Sequence, residues 1–286
     1  MYAKTALYFL ILQQKNLLIK KKKKTMKTKK KIGIFSLTAC AGCQLKLLNL
    51  DEIFFEIVDS FDITHFKLLK EVNEKGPFDI VLVEGCATQK KEVALLKKIR
   101  KSAHYLIALG TCATYGGIPS IKDFYDEAKI EKIVYGSVKN VSSLRVEGIS
   151  KYVEVDYFMR GCPVHKEEFM RVIKSLLTKK KPINITASVC VECREKENIC
   201  LLQQGKLCLG PVTFGGCSAL CPSVSVECVG CNGPCDDANV SAEAELFKKH
   251  GISRLDIERR FRTFAGTSKI FREYCELCQL KDKNKK

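Results

Sequence analysis

Residues 31–43 read KIGIFSLTACAGC, a short apolar run that leads directly into a pair of cysteines. The apolar part, residues 31–37, has the length and composition of a strand that is buried on both faces. Similar runs recur along the chain, and stretches with the 3.6-residue periodicity of helices lie between them. This alternation predicts an α/β fold in which helices cover a parallel sheet. The other predicted strands are 78–84, 104–109 and 155–159, and the predicted helices are 44–57, 88–101 and 166–177.

Cysteines follow the predicted strands at their carboxyl ends. Cys40 and Cys43 come after the first strand, Cys112 comes after the third, and Cys162 comes after the fourth. Open α/β sheets bind ligands at this edge, so we expect these four thiols, the first set, to converge. The glycines beside them, which would let the backbone approach a bound group closely, are Gly42, Gly110 and Gly161.

Two further residues follow the second predicted strand at the same edge. Cys86 is predicted not to be a ligand, because it lacks a C-x-x-C or Cys-Pro context and four ligands are already present. Glu84 has two open interpretations, an ordinary carboxylate at the end of a strand and a buried proton-relay group.

The chain contains sixteen cysteines and four histidines. No stretch approaches the roughly 18 consecutive apolar residues of a membrane-spanning helix, and the apolar run at 6–12 lacks the features of a signal peptide. We therefore expect a cytoplasmic protein without a membrane span. In a reducing cytosol structural disulfides are rare, so this many thiols predicts metal sites built from cysteine, either iron–sulfur clusters or tetrathiolate zinc.

The positive charge is concentrated at the two ends of the chain. Of the net charge of +17, residues 1–31 and 281–286 contribute fourteen units. The remaining body has no tryptophan and no basic stripe, so the charge does not indicate a nucleic-acid surface. Residues 1–30 are predicted to be a disordered basic extension, ahead of a sheet domain at 31–181.

A second domain is predicted at 182–240, followed by a helical segment and a basic tail at 241–286, with one or two exposed helices over 241–264. Residues 190–235 contain nine cysteines, and eight of them divide by spacing into two sets of four. Spacing alone leaves two zinc sites as the alternative to two iron–sulfur clusters. Cys235, Cys275 and Cys278 stay unassigned. The second set is Cys190, Cys193, Cys200 and Cys208, and the third set is Cys217, Cys221, Cys228 and Cys231.

These motifs resemble those of the small subunits of nickel–iron hydrogenases. The resemblance covers residues 31–235, and the segments that carry it are TACAGC at 38–43, VEG at 83–85, GTCATYGG at 110–117, RGCP at 160–163 and the cysteine run at 190–234. The presence of cysteine at both 190 and 221 resembles the cytoplasmic groups, namely the F420-non-reducing hydrogenases and the delta subunits of sulfhydrogenases. The sheet region is also similar to the 20-kDa-type subunit of NADH:quinone oxidoreductase.

The resemblance implies a flavodoxin-like domain followed by a small cysteine-rich iron–sulfur domain. It implies three [4Fe-4S] clusters, with the first set binding the proximal cluster, the third set the medial cluster and the second set the distal cluster. The expected function is electron transfer between a [NiFe] large subunit, which carries out the hydrogen chemistry, and an acceptor subunit of the flavin, ferredoxin or heterodisulfide reductase type. No catalytic residue is expected in this chain. The alternative is the iron–sulfur subunit of a quinone- or ferredoxin-linked complex without hydrogenase activity.

Overall fold

A computed structural model describes residues 29–50, 57–136, 143–178 and 180–283. Five parallel strands form one sheet in the order β2-β1-β3-β4-β5, which is the flavodoxin-like order. The predicted parallel α/β domain is therefore confirmed. The strands are β1 Lys30–Ser36, β2 Phe61–Phe66, β3 Phe78–Glu84, β4 Ala103–Leu109 and β5 Tyr157–Met159.

Helices cover the sheet and recur in the carboxyl-terminal region. Those of the sheet region are α1 Gly42–Leu48, α2 Lys90–Ser102, α3 Gly110–Tyr115, α4 Glu127–Tyr135 and α5 Lys166–Leu177. Those that follow are α6 Val189–Glu195, α7 Val240–Lys249, α8 Arg254–Ala265 and α9 Lys269–Lys283.

The central strands are buried on both faces. Ile32, Ile34 and Leu82 point into one hydrophobic cluster, and Val81 and Leu106 point into another on the opposite face. This explains the nearly continuous apolar runs in the sequence, since a strand between two helical layers has no solvent-facing side.

The carboxyl-terminal helices share a core with the cysteine-rich segment. Phe247 on α7, Phe261 on α8 and Phe271 on α9 are buried in one cluster together with Val189 and Leu209. The expectation that 241–264 forms exposed helices was wrong, because the apolar faces of α7 and α8 complete this core.

Two further expectations about single elements need correction. Strand β2 was not predicted, since Asp62, Thr64 and His65 interrupt its apolar pattern. The predicted helix at 44–57 ends at Leu48, and residues 51–56 lie outside the described residues, as do residues 1–28 of the predicted extension.

Within the described residues, no helix combines the length and the apolar character that crossing a bilayer requires.

Candidate metal centres

The structure brings the first set together at the carboxyl edge of the sheet. Cys43 is buried, whereas Cys40 and Cys162 are exposed. Burial raises the pKa of the Cys112 thiol to about 12, and the nearby Cys162 and Cys40 raise it further. Burial and the neighbouring Glu84, Cys162 and Cys112 likewise raise the pKa of Cys43. The four sulfur atoms therefore lie close enough to interact electrostatically.

Glu84, at the end of β3, fixes the position of α1. Its side chain is only 2% exposed. Oε1 accepts a hydrogen bond of 2.8 Å from the backbone nitrogen of Cys43, and Oε2 accepts one of 2.6 Å from Nε2 of Gln44. The strand end thus holds the first turn of α1, which positions the Cys43 thiol. These bonds give Glu84 a structural role, in line with its interpretation as a carboxylate at the end of a strand.

Glycines make room for the first set. A Cβ atom at Gly110 would lie 2.4 Å from the sulfur of Cys43, and one at Gly117 would lie 2.6 Å from the sulfur of Cys112. Both glycines have positive φ angles, +84° and +55°, which other residues rarely adopt. Any other residue at these positions would move a thiol of the set.

The second set gathers around the start of α6. Burial raises the pKa of Cys190 to about 12, and nearby Cys208, Cys193 and Cys200 contribute in the same direction. Gly210 packs against two of these thiols, since its Cβ would lie 3.2 Å from the sulfur of Cys190 and 3.6 Å from that of Cys208.

The third set lies between the other two. Burial raises the pKa of Cys217 to about 11, and Cys231 is among the charges that raise it further. Burial also raises the pKa of Cys231 to about 11, with contributions from Cys221 and from Cys162 of the first set. Burial raises the pKa of Cys228 as well, and it is raised further by Cys208 of the second set and by Cys231 and Cys217 of its own set.

Three pairs of residues fix the order of the sets in space. Cys162 lies near Cys231, and the hydroxyl group of Thr111, next to Cys112, donates to the carbonyl oxygen of Cys231. The backbone nitrogen of Cys228 donates to the sulfur of Cys208 at 3.3 Å. The sets therefore follow one another as first, third and second.

The four remaining cysteines are not among the twelve predicted ligands, although Cys86 lies close enough to Cys112 for the two thiols to interact electrostatically. Cys86 is fully buried, and its thiol donates to the carbonyl oxygen of Thr38 at 3.7 Å. Cys235 is buried, and its backbone nitrogen donates to Val212. Cys275 and Cys278 are buried on α9, where they belong to the carboxyl-terminal core.

The residues present fit iron–sulfur clusters. Each set offers four sulfur donors, and glycines flank the first and second sets at contact distance, so that backbone can approach a bound group. Among the described residues, which include all twelve cysteines of the sets, no three Cys, His, Asp or Glu side chains lie close enough together to hold a single metal ion directly.

Comparison with known proteins identifies the family. The family model of the NADH ubiquinone oxidoreductase 20 Kd subunit matches residues 40–176. The chain is 37% identical over 237 residues to the delta subunit of sulfhydrogenase 2 from Pyrococcus furiosus, with 82% of this chain and 99% of the relative covered. The chain belongs to the family of hydrogenase small subunits.

Two further comparisons agree with this family assignment. The chain is 33% identical over 272 residues to a subunit of the vhu F420-non-reducing hydrogenase of Methanococcus voltae, and the match covers 84% of this chain and 95% of that subunit. A chain of an NAD+-reducing [NiFe]-hydrogenase superposes with a TM-score of 0.50 and 25% identity, covering 55% of this small subunit and 95% of that chain. As a hydrogenase subunit, the protein is part of an oxidoreductase.

The amino-acid sequence did not identify one residue that contacts a predicted ligand in the folded chain. Glu192 lies between Cys190 and Cys193, and its carboxylate accepts hydrogen bonds from the loop that contains Cys217. An acidic residue inside a C-x-x-C motif was the available signal, but it could not show which loop the carboxylate would contact.

Proposed function

We propose that this chain is the electron-transfer small subunit of a [NiFe] hydrogenase and that it holds three [4Fe-4S] clusters. The observation that carries the proposal is the row of three four-thiol sets, ordered first, third and second. Membership of the hydrogenase small-subunit family supports the same conclusion. When bound, the clusters would supply one-electron redox chemistry.

The twelve cysteines of the three sets are the proposed cluster ligands. The chain's own task is to hold the thiols at fixed positions, to exclude water and to surround each site with backbone. Burial disfavours free thiolates, and binding of iron would relieve this cost by keeping each sulfur deprotonated and coordinated. The raised pKa values of Cys43, Cys190 and Cys228, one from each set, therefore fit buried metal sites rather than reactive thiols.

The two ends of the row are proposed contact sites for partner subunits. Cys40 and Cys162 of the first set are exposed at the sheet edge, where a [NiFe] large subunit would cover them. On α4, three consecutive apolar side chains at 133–135 are 73%, 63% and 48% exposed, and a contiguous apolar surface of this kind is typical of a site that binds a partner. Cys200 of the second set is exposed at the other end, where an acceptor subunit would dock. We further propose that the complex is cytoplasmic.

The test is anaerobic purification followed by measurement of iron, acid-labile sulfide and zinc. Three cubane clusters require about twelve irons per chain, and zinc in place of iron would overturn the cluster assignment. A matched pair of variants sharpens the test. Cys112→Ala should lose about four irons, whereas Cys86→Ala, which alters a buried thiol outside the sets at the same sheet edge, should retain all of them.

The alternative function is that of an iron–sulfur subunit in a quinone- or ferredoxin-linked complex without hydrogenase activity. The relatives named above favour a hydrogenase. Affinity purification of the chain from its native cell separates the two. A nickel-containing partner and hydrogen-dependent reduction of a viologen dye support the hydrogenase, and a partner without nickel overturns it.

A further inference from the structure

The loop that presents Cys217 has an unusual backbone conformation. Ser218 and Ala219, the two residues after this cysteine, have φ angles of +53° and +48°. For residues that carry a Cβ atom, the left-handed region is sterically unfavourable. Such conformations persist only where the surroundings hold them. Something outside the loop must therefore stabilise it.

The carboxylate of Glu192 contacts this loop directly. Oε1 accepts a hydrogen bond of 2.6 Å from the nitrogen of Gly216, and Oε2 accepts one of 3.0 Å from the nitrogen of Ala219. The thiol of Cys217 points to Oε2 at 3.7 Å. A single side chain therefore accepts hydrogen bonds from the backbone on both sides of Cys217.

Neighbouring residues leave space for this contact and hold the start of the loop. A Cβ atom at Gly215 would lie 3.0 Å from Oε1 of Glu192, so glycine lets the loop approach the carboxylate. Asn232, next to Cys231, donates to the carbonyl oxygens of Phe214 and Gly215 at 2.9 and 2.8 Å. Asn232 therefore anchors the start of the loop, and the part around Cys217 depends on Glu192.

We propose that Glu192 is a positioning residue for the third set, one that fixes the loop of Cys217 and places a negative charge beside the cluster held there. The residue belongs to the C-x-x-C motif of the second set, so it joins two neighbouring sites. The inference rests on the proposed function, because it presupposes a cluster on the third set.

The test compares three variants of the full chain, purified anaerobically in its complex. Glu192→Ala removes the carboxylate, and Glu192→Gln keeps its shape but removes its charge. Glu195→Ala is the matched control, since Glu195 is exposed on the same helix. Iron and sulfide are measured for each variant, and redox titration followed by electron paramagnetic resonance gives the midpoint potential of each cluster.

We expect Glu192→Ala to lose about four of about twelve irons. Glu192→Gln should show a more positive midpoint potential for one cluster, because the negative charge that disfavours the reduced form is gone. The control should match the wild type. Wild-type iron content and unchanged potentials in both Glu192 variants would overturn the inference. If the alanine variant does not fold, an unchanged potential in the glutamine variant is sufficient to overturn it. Wild-type protein without iron would instead refute the proposed function itself.

Discussion

The backbone nitrogen of Cys228 lies 3.3 Å from the sulfur of Cys208 and donates a hydrogen bond to it. The carbonyl oxygen of Cys228 accepts a second bond of 2.9 Å from the nitrogen of Leu209. These two bonds connect Cys228 of the third set with Cys208 of the second set and with Leu209, the residue that follows Cys208. A ligand of one proposed cluster thus shares its backbone environment with a ligand of the next, and amide hydrogen bonds to sulfur are one way in which proteins tune cluster potentials.

The order of the sets predicts magnetic behaviour. The third set lies between the others, so the double variant Cys217→Ala/Cys228→Ala should remove the central cluster and leave the outer two isolated. The spectrum of the fully reduced protein should then lose the broadening that arises from neighbouring paramagnets. Cys235→Ala, a buried thiol outside the sets, is the control. Retention of the broadening in the double variant would contradict the order.

A substitution at Gly110 should disrupt the first set selectively. Gly110→Ala would place a Cβ atom 2.4 Å from the sulfur of Cys43 at a φ of +84°, so we expect about four irons to be lost. Gly136→Ala is the control. Gly136 has a φ of +62° and nothing within 4 Å of its Cβ position. The control should carry only the backbone cost, about 1–2 kcal/mol, and keep its iron. Equal iron contents in the two variants would show that the close contact between Gly110 and Cys43 does not determine cluster binding.

Removal of the Glu84 side chain should destabilise the sheet edge. Glu84→Ala leaves the Cys43 nitrogen and the Gln44 side chain without their acceptor, and each unpaired buried group costs about 1–3 kcal/mol. Glu84→Gln should be milder, since the Gln44 amide can rotate to pair with it. Urea unfolding measures the difference, with the exposed Glu71→Ala as control. A Glu84→Ala variant as stable as that control would show that these bonds contribute little.

His65 should make stability depend on pH. Burial lowers the pKa of its imidazole, which stacks on Phe35 at 3.9 Å and bonds to the carbonyl oxygen of Glu74. Below about pH 6.5 the unfolded chain takes up a proton that the folded chain resists. Stability should therefore fall as the pH drops through this range, by at most about 1.4 kcal/mol per pH unit.

The variant His65→Phe keeps the stack and removes the titrating group. Its free energy of unfolding, measured from pH 8 to pH 5, should depend less on pH than that of the wild type. His104→Gln, at an exposed position in β4, should keep the wild-type slope. A parallel fall in wild type and His65→Phe would assign the pH dependence to other groups.

Most of the sheet could be predicted from the sequence because strands buried on both faces have no polar alternation. The segment 78–84 coincides with β3, and the helix 166–177 coincides with α5. Strand β2 escaped because His65 and Thr64 are buried polar residues, and their burial depends on packing against other strands. The apolar faces of α7 and α8 could be recognised as helical, but not as buried, since the core that covers them is contributed partly by α9.

The amino-acid sequence by itself indicated metal sites built from cysteine, because sixteen thiols at short, repeated spacings are typical of such sites, but the spacing did not distinguish iron–sulfur clusters from zinc. The convergence of the four cysteines of the first set could also be predicted from the sequence, since parallel strands bring their carboxyl ends to one edge of the sheet. The order of the three sets, by contrast, emerged from the packing of the folded chain, through the contacts of Cys162 with Cys231 and of Cys208 with Cys228. The same packing assigned Glu192 to the loop of Cys217. Contacts between distant segments depend on how whole elements pack, and residue spacing along the chain does not encode that packing locally.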